Sequence, residues 1–227
     1  MRPWELLDEE EVPEDDGTLY LMTRGREFAI IVDDRELMAS KMHGSEDALA
    51  DLACDRLARL EDARILVGGL GMGFTLAAVL RRLGERGHAT VAELVPAVVR
   101  WNREYLGHVA RHPLRDPRVA VHAGDICDLV DDPAASWSAI LLDIDNGPMA
   151  LTRLTNGWLY TRQGLAKAYA ALIPGGVLGV WSALPDQAFT RRLRRAGFEV
   201  EVLRHTEEGR PSPDGRGTHF LWMARRA

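Results

Sequence analysis

The chain has 227 residues, of which 46% are hydrophobic and 27% are charged, and its formal net charge is −6. A chain of this length and composition fits one α/β domain with a small appendage, and it can bury a core without help from a metal or a disulfide. The negative charge argues against nucleic acid as the main partner, because binding to a phosphate backbone needs a basic face.

Cysteine usage and hydropathy indicate a reducing environment away from membranes. The two cysteines, Cys54 and Cys127, lie in apolar surroundings, which favours small core residues over a disulfide. No cysteine–histidine spacing suggests zinc, so we expect no metal. The N-terminus lacks the apolar stretch of a secretory signal, and no segment approaches the length of a membrane span. We therefore expect a cytoplasmic protein without a membrane partner.

The N-terminal residues predict a small β-hairpin. Residues 18–22 and 27–32 have the pattern of strands, and a turn around Gly25 lies between them. The acidic run at residues 9–16 is interpreted as a frayed lead-in. Because a hairpin leaves an open strand edge, a second subunit could pair there, which makes a homodimer a candidate assembly.

A helix and then a regular alternation of strands and helices follow the hairpin. Ser45 is predicted to cap a helix that reaches about residue 60. Strands are then predicted at 64–67, 90–93, 119–122, 139–143 and 177–181, and helices at 74–83, 96–106, 162–172 and 187–196. Because the central strands are continuous apolar runs, the pattern indicates a parallel sheet that is covered on both faces.

The last two predicted strands, at residues 198–203 and 219–224, have no helix between them. We therefore expect them to pair antiparallel. Their connection at residues 204–217 is rich in Gly, Pro and Ser, and it could be a lid over a site or an unstructured link. We divide the chain into the hairpin appendage at residues 1–42 and an α/β domain at residues 43–227.

A glycine loop with Gly69, Gly71 and Gly73 comes directly after a strand and before a helix. Glycines let the backbone approach a ligand closely, and a helix N-terminus offers free N–H groups. The dinucleotide fingerprint needs a further glycine where this chain has Phe74, so a nucleoside is favoured over a pyrophosphate cofactor. The alternative is a tight turn that binds no ligand.

Two acidic residues follow the next two strands at the same edge of the predicted sheet. Glu93 could accept hydrogen bonds from ribose hydroxyls, and Leu94 beside it is assigned to the same site. Asp125 could accept from the exocyclic amine of an adenine ring, with Ile126 packed on that ring. The alternatives are a solvent-facing acid at residue 93 and a Gly-Asp turn at residue 125.

A pair of carboxylates, Asp143 and Asp145, leaves the end of a buried strand. This is the usual place for catalytic groups in an open α/β sheet. A carboxylate here could orient or deprotonate an amine or hydroxyl nucleophile, or it could hold a sulfonium by charge. The alternative is an Asx turn followed by the turn-forming residues Gly147 and Pro148.

In their order along the chain, these motifs resemble the spermidine synthase-like branch of the class I S-adenosylmethionine-dependent methyltransferase superfamily. The matching segments are residues 67–73, 93–96, 116–119, 124–125, 143–148, 159–161 and 174–176. The resemblance implies a Rossmann-like α/β fold, in which an N-terminal β-hairpin precedes a mostly parallel seven-stranded sheet with an antiparallel C-terminal strand.

The resemblance also implies a ligand and residue roles. The cofactor would be S-adenosylmethionine or its decarboxylated form. The three loop glycines would approach the amino-acid or aminopropyl arm, Glu93 would hold the ribose and Asp125 the adenine. Asp143 would take the place of the acid that activates the attacking amine.

The chain departs from polyamine synthases at the arm of the donor. Met72, or Leu70 if the loop is shifted by two residues, stands where those enzymes carry an aspartate that binds the aminopropyl ammonium. The acidic loop at residues 143–148 is shorter than theirs, and the tyrosine and glutamine of their polyamine channel have no clear match around residues 35–50. Breaking a buried charge pair costs about 3–5 kcal/mol, so this difference matters for donor binding.

Three functions stay open. The leading hypothesis is methyl transfer from S-adenosylmethionine to a small-molecule nucleophile, since an uncharged glycine loop that presents N–H groups suits the carboxylate of the methionine arm. The second is aminopropyl transfer from decarboxylated S-adenosylmethionine to a polyamine. The third is a non-catalytic nucleoside-binding module. His43 could reach the pocket as a base or donor, or it could serve as a local hydrogen-bonding residue.

Overall fold

Two β-sheets organise the chain, a four-stranded N-terminal sheet and a seven-stranded sheet. The computed structural model describes residues 2–12, 17–32, 35–144, 156–206, 208, 210 and 218–227. Across this part of the chain, no helix is long and apolar enough to cross a membrane.

The N-terminal sheet is antiparallel throughout, in the order β1-β2-β3-β4. Its strands are β1 (Glu5–Glu11), β2 (Thr18–Arg24), β3 (Glu27–Val32) and β4 (Arg35–Ala39). The expected hairpin is the central pair, and Gly25, with φ of +73°, turns the chain between its strands. Residues 9–11 of the acidic lead-in belong to strand β1, because pairing with β2 overrides the low β-propensity of Glu and Asp. The homodimer through a sheet edge stays a prediction.

The second sheet has the order β10-β11-β9-β8-β5-β6-β7. Its strands are β5 (Arg64–Gly68), β6 (His88–Glu93), β7 (Val119–Ala123), β8 (Trp137–Leu142), β9 (Leu172–Ser182), β10 (Phe198–Thr206) and β11 (Thr218–Arg226). The helices are α1 (Gly44–Asp55), α2 (Phe74–Arg82), α3 (Pro96–Trp101), α4 (Ile126–Val130), α5 (Arg162–Ala171) and α6 (Gln187–Arg195).

The strand order reverses at β5. Strands β6 and β8 both pair with β5 in parallel, and they lie on opposite sides of it. A crevice opens at such a reversal, beyond the carboxyl ends of the strands. Strand β11 runs antiparallel between β9 and β10. The expected mostly parallel seven-stranded sheet with an antiparallel C-terminal strand is confirmed.

Strand β8 shows why the central strands are apolar at every position. Its Ala139 and Leu141 pack into one core cluster with residues of α1, α2 and α3. Its Ile140 and Leu142 pack into a second cluster with residues of α4, α5 and α6. The sheet is therefore buried on both faces, as a parallel sheet must be.

Helices α1 and α3 differ most from the boundaries expected. Helix α1 has His43 at its N-cap and ends at Asp55, so the prediction that Ser45 caps it was wrong. Ser45 lies within the first turn, where its hydroxyl donates to Glu46 Oε2 at 2.6 Å instead of accepting from a backbone N–H. Helix α3 continues as a π-helix over Asn102–Leu106, which the periodicity of the sequence does not distinguish from an α-helix.

The N-terminal sheet is joined to helix α3 through Asp8. The indole N–H of Trp101 donates to Asp8 Oδ2 at 2.7 Å, and Nη2 of Arg100 donates to the same oxygen at 2.9 Å. Trp101 is fully buried, so its N–H has no ready access to water. The hydrogen bonds from Arg100 and then Trp101 hold the pKa of Asp8 below its ordinary value.

Replacing Asp8 with alanine should lower the free energy of unfolding by about 1–3 kcal/mol, because a buried indole donor and a guanidinium lose their acceptor. The neighbouring exposed residue offers a matched control, since Glu9→Ala should change stability by less than about 0.5 kcal/mol. Both are measured by urea unfolding. Because the pKa of Asp8 is lowered on folding, its contribution is complete above the unfolded value of 3.8 and is lost as the pH falls through the folded-state value. Equal stabilities of the two variants at neutral pH would contradict this account.

Candidate active site

The glycine loop lies where the ends of β5 and β8 meet. Gly69, Gly71 and Gly73 have φ of +86°, +49° and +86°, a backbone region that other residues rarely adopt. A Cβ at residue 69 would overlap the carbonyl oxygen of Asp143, and one at residue 71 would lie 2.7 Å from Cε of Met38. The loop therefore needs glycine both for its conformation and for its close approach to neighbouring groups.

Glu93 ties this loop to the start of helix α3. The backbone N–H of Leu70 donates to its Oε2 and that of Val95 to its Oε1, both at 2.9 Å. Leu94 follows Glu93 in the chain and is half-buried. Both carboxylate oxygens of Glu93 thus accept from the backbone, one from the glycine loop and one from the residue before α3.

Asp125 and Ile126 flank the same loop from the start of helix α4. Asp125 is the N-cap of α4, and its Oδ1 accepts from the backbone N–H of Cys127 at 2.8 Å. Ile126 is buried, and its Cδ1 and that of Ile144 both close over Gly68. The capping bond gives Asp125 a local role, and the two isoleucines form the apolar surface on which a flat ring would pack.

Asp143 holds the centre of the site. Oγ1 of Thr75, in the first turn of α2, donates to Asp143 Oδ2 at 2.5 Å. Burial raises the pKa of Asp143 to about 7, the negative charge of Glu46 adds to this effect, and the bond from Thr75 opposes it. Burial also raises the pKa of Glu46. Two carboxyl groups on different elements thus share one desolvated site and titrate together.

Four residues of the site were missed in the sequence, namely Met38, Glu46, Thr75 and Asn102. Asn102 lies below the loop, where its Nδ2 donates to the carbonyl oxygens of Gly71 at 2.7 Å and Val98 at 2.9 Å. Its position in a π-helix is typical of functional sites, but no sequence pattern marks it. Met38 and Glu46 reach the site only through long-range packing.

Other predicted residues lie elsewhere. His43 accepts or donates locally, with its Nδ1 2.9 Å from Asp47 Oδ2, and its ring stacks on Phe74 at 4.1 Å. Tyr160, in the matching segment at residues 159–161, is buried against Phe189 with 5.6 Å between ring centres. Asp145 lies outside the described residues, as does most of the connection at residues 204–217.

The charged side chains described in this site, Glu46, Glu93, Asp125 and Asp143, are all acidic, and they suit a cationic ligand better than an anionic one. Among the residues that the structure describes, no group of His, Cys, Asp and Glu is arranged to hold a metal ion. A loop that only glycine can form, an acid anchored beside it and an apolar surface over Gly68 fit an adenosyl group with a positively charged sulfur.

The structure is similar to solved spermidine synthases. The enzyme from Thermotoga maritima matches with a TM-score of 0.76 and 17% identity, over 98% of this chain and 72% of that one. A spermidine synthase in complex with the transition state analogue AdoDATO gives 0.74 and 18% over the same shares. A probable spermidine synthase from Corynebacterium glutamicum gives 0.68 and 16%, over 98% of this chain and 80% of its own. No family model and no curated protein matches the sequence. The likeness confirms the expected fold.

Gly69→Ala should destabilise the protein more than Gly25→Ala does, although both glycines have a left-handed backbone. A Cβ at residue 25 meets nothing within 4 Å, so that variant should lose only about 1–2 kcal/mol of conformational energy. At residue 69 the overlap with a backbone oxygen should add at least about 2 kcal/mol. Urea unfolding of both variants measures the difference. Equal losses would show that the loop does not press on Asp143.

Proposed function

We propose that this protein is a transferase that binds an S-adenosylmethionine-type nucleoside and passes an alkyl group from its sulfonium to a small amine. The observation that carries the proposal is the pair of desolvated carboxyls, Asp143 and Glu46, beside a glycine loop that is closed on the backbone of Asp143. A base and a nucleoside cradle thus meet at the point where the strand order reverses.

The nucleoside would be held by residues on three strand ends. Glu93 would accept from the ribose hydroxyls, and Asp125 from the adenine amine, with Leu94 and Ile126 against the ring system. The loop glycines would leave room for the arm that carries the sulfur. Support for these roles comes from the anchored position of Glu93 and from the apolar cover over Gly68.

The bound nucleoside would supply an electrophilic carbon on sulfur, and the C–S bond would break as the acceptor nitrogen bonds to that carbon, leaving a neutral thioether. The attacking nitrogen must also lose a proton. Asp143 would take it, because its raised pKa makes this carboxylate a stronger base than an exposed aspartate. Thr75 would hold the carboxylate through its bond to Oδ2, so that the other oxygen faces the acceptor.

As the specific reaction, we propose aminopropyl transfer. The protein shares its fold with spermidine synthases over 98% of its length, including the N-terminal sheet. That sheet contributes Met38 to the cover of the loop. The acidic pair also supplies negative charge near the arm, which a cationic donor and a polyamine acceptor both require.

Methyl transfer is the second candidate, and Met72 favours it. Met72 is fully buried, and Leu70, the other position for an ammonium-binding acid, is 5% exposed. Both side chains belong to the hydrophobic core, so the loop itself offers no carboxylate to an aminopropyl group. A donor that keeps its own carboxylate would instead meet the N–H groups at the start of α2.

Calorimetric titration with three nucleosides should separate these candidates. Aminopropyl transfer predicts that decarboxylated S-adenosylmethionine binds at least about tenfold tighter than S-adenosylmethionine, a difference of about 1.4 kcal/mol. Methyl transfer predicts the reverse order. Methylthioadenosine, which lacks the charged end of the arm, is the reference for the adenosine part. If none of the three binds, the proposed nucleoside site is wrong.

Asp143→Asn should remove the proposed catalytic base and leave the proposed nucleoside site in place. We expect turnover to fall by about 10²–10⁴-fold, with the affinity for methylthioadenosine unchanged, because that nucleoside has no positive charge for Asp143 to meet. In the wild-type protein kcat/KM should rise with pH through about 7, since Asp143 acts only after it loses its proton. The control is Asp128→Asn, which replaces an exposed acid of helix α4 and should leave turnover unchanged. Nucleoside binding without turnover of any amine, in wild type and variants alike, would favour a non-catalytic module.

A further inference from the structure

A hydrogen-bond chain runs from strand β11 to the carboxyl of Glu46. The Ser45 hydroxyl donates to Glu46 Oε2 at 2.6 Å, and the same hydroxyl oxygen lies 2.9 Å from Nδ1 of His219. Ser45 is 1% exposed, so bulk water does not compete for its hydroxyl. The chain therefore connects the first turn of α1 with a strand at the other end of the sequence.

The single proton of a hydroxyl links the directions of both bonds. An ionised Glu46 can only accept, so Ser45 donates to it and accepts from His219, whose Nδ1 then carries a proton. If Glu46 is protonated, its O–H donates to Ser45 and Ser45 donates to a bare Nδ1. The two arrangements differ by the passage of one proton between Glu46 and the imidazole through Ser45.

Packing fixes the imidazole end of this chain. The ring of His219 lies 4.6 Å from that of Trp181, measured between ring centres. Trp181 and His219 are both near the edge of the sheet at which Asp143 lies, since β11 pairs antiparallel with β9. The orientation of the ring is therefore set by its neighbours before any substrate binds.

We propose that Ser45 and His219 are positioning residues for the transfer: they hold the Glu46 carboxyl beside Asp143 and draw its proton onto the imidazole, so that Glu46 is anionic when Asp143 acts as base. In this step the proton of Glu46 moves to the Ser45 oxygen as the Ser45 proton moves to Nδ1 of His219, which leaves a carboxylate and an imidazolium. The inference rests on the proposed function, because it needs Asp143 as the base.

An anionic Glu46 strengthens Asp143 as a base, because a neighbouring negative charge raises the affinity of a carboxylate for a proton. Thr75 acts in the opposite direction through its bond to Asp143. Among the residues that the structure describes, His43 and Asp47 also act on the charge of Glu46. Asp47 in turn pairs with His43 and with Arg81 of α2.

The tautomer of His219 tests the chain without any turnover. In ¹⁵N spectra of histidine-labelled protein, Nδ1 of His219 should be protonated, and His219→Asn identifies its signals. Ser45→Ala should release the ring to the more common Nε2–H form. The matched control is Ser138→Ala, since Ser138 is also a poorly exposed serine but lies at the opposite end of β8. An unchanged His219 signal in Ser45→Ala, in protein that melts cooperatively, would overturn the inference.

The pH dependence of kcat/KM tests the effect on Asp143. Ser45→Ala and His219→Leu should move the acidic limb of the profile, the rise of kcat/KM as Asp143 loses its proton, to lower pH by roughly one unit. This is the order of shift expected when a nearby charge is lost at an effective dielectric constant of about 20. Thr75→Val should move the limb to higher pH. His219→Asn keeps a donor for Ser45 but cannot take up a proton, so it should move the limb to lower pH as His219→Leu does.

The two failures can be told apart. If Ser45→Ala leaves the limb in place while Thr75→Val shifts it, the positioning role is wrong and the proposed function stands. If the wild-type protein binds none of the nucleosides, the proposed function and the positioning role both fail, and the ¹⁵N spectra still decide whether the hydrogen-bond chain forms.

Discussion

The approach of the Gly69 backbone to the carbonyl of Asp143 is the constraint on which the rest of the site depends. The N–H of Asp143 donates to the carbonyl of Gly68 at 3.0 Å, and the N–H of Gly69 donates to that of Ala92 at 2.9 Å. The ends of β5, β6 and β8 are thereby joined at one point, with no space for a side chain at residue 69. Because the strand order reverses at β5, the same point is where a crevice opens, and side chains that follow these strands must converge there.

The acids that meet at this edge of the sheet have different roles, because each accepts from different hydrogen-bond donors. Glu93 accepts from two backbone N–H groups, which stabilise its charge and make it an anchor for the loop. Asp143 and Glu46 are each held by a single hydroxyl, from Thr75 and Ser45, and burial dominates their titration. Two backbone donors thus make Glu93 a structural acceptor, whereas burial prepares Asp143 to exchange a proton near neutral pH.

The sequence predicts those residues of this site whose positions follow from local patterns and from the order of the strands. A glycine loop between a strand and a helix, with acids at the ends of successive strands, follows from chain order, and the structure brings Gly69, Glu93 and Asp143 together as expected. Glu46 could not be predicted, because its approach to Asp143 depends on how α1 packs over the sheet. Strand β1 was missed for a related reason: its acidic residues disfavour a strand, and only the partner strand β2 and the contact of Asp8 with Trp101 stabilise it.

The shared fold leaves the transferred group to be decided by charge. Met38 and Met72 make the surroundings of the loop apolar, so recognition of a cation falls to the acids at the end of β8 and the start of α1. S-adenosylmethionine carries an ammonium and a carboxylate on its arm, whereas the decarboxylated donor carries the ammonium alone. Aminopropyl transfer would therefore bring more uncompensated positive charge to these acids than methyl transfer would. Because Asp143 would take up the proton of the acceptor, Glu46 would be the acid of this pair that stays charged through the transfer. Aminopropyl transfer therefore requires a further carboxylate, and the sequence provides one in Asp145, two positions after Asp143.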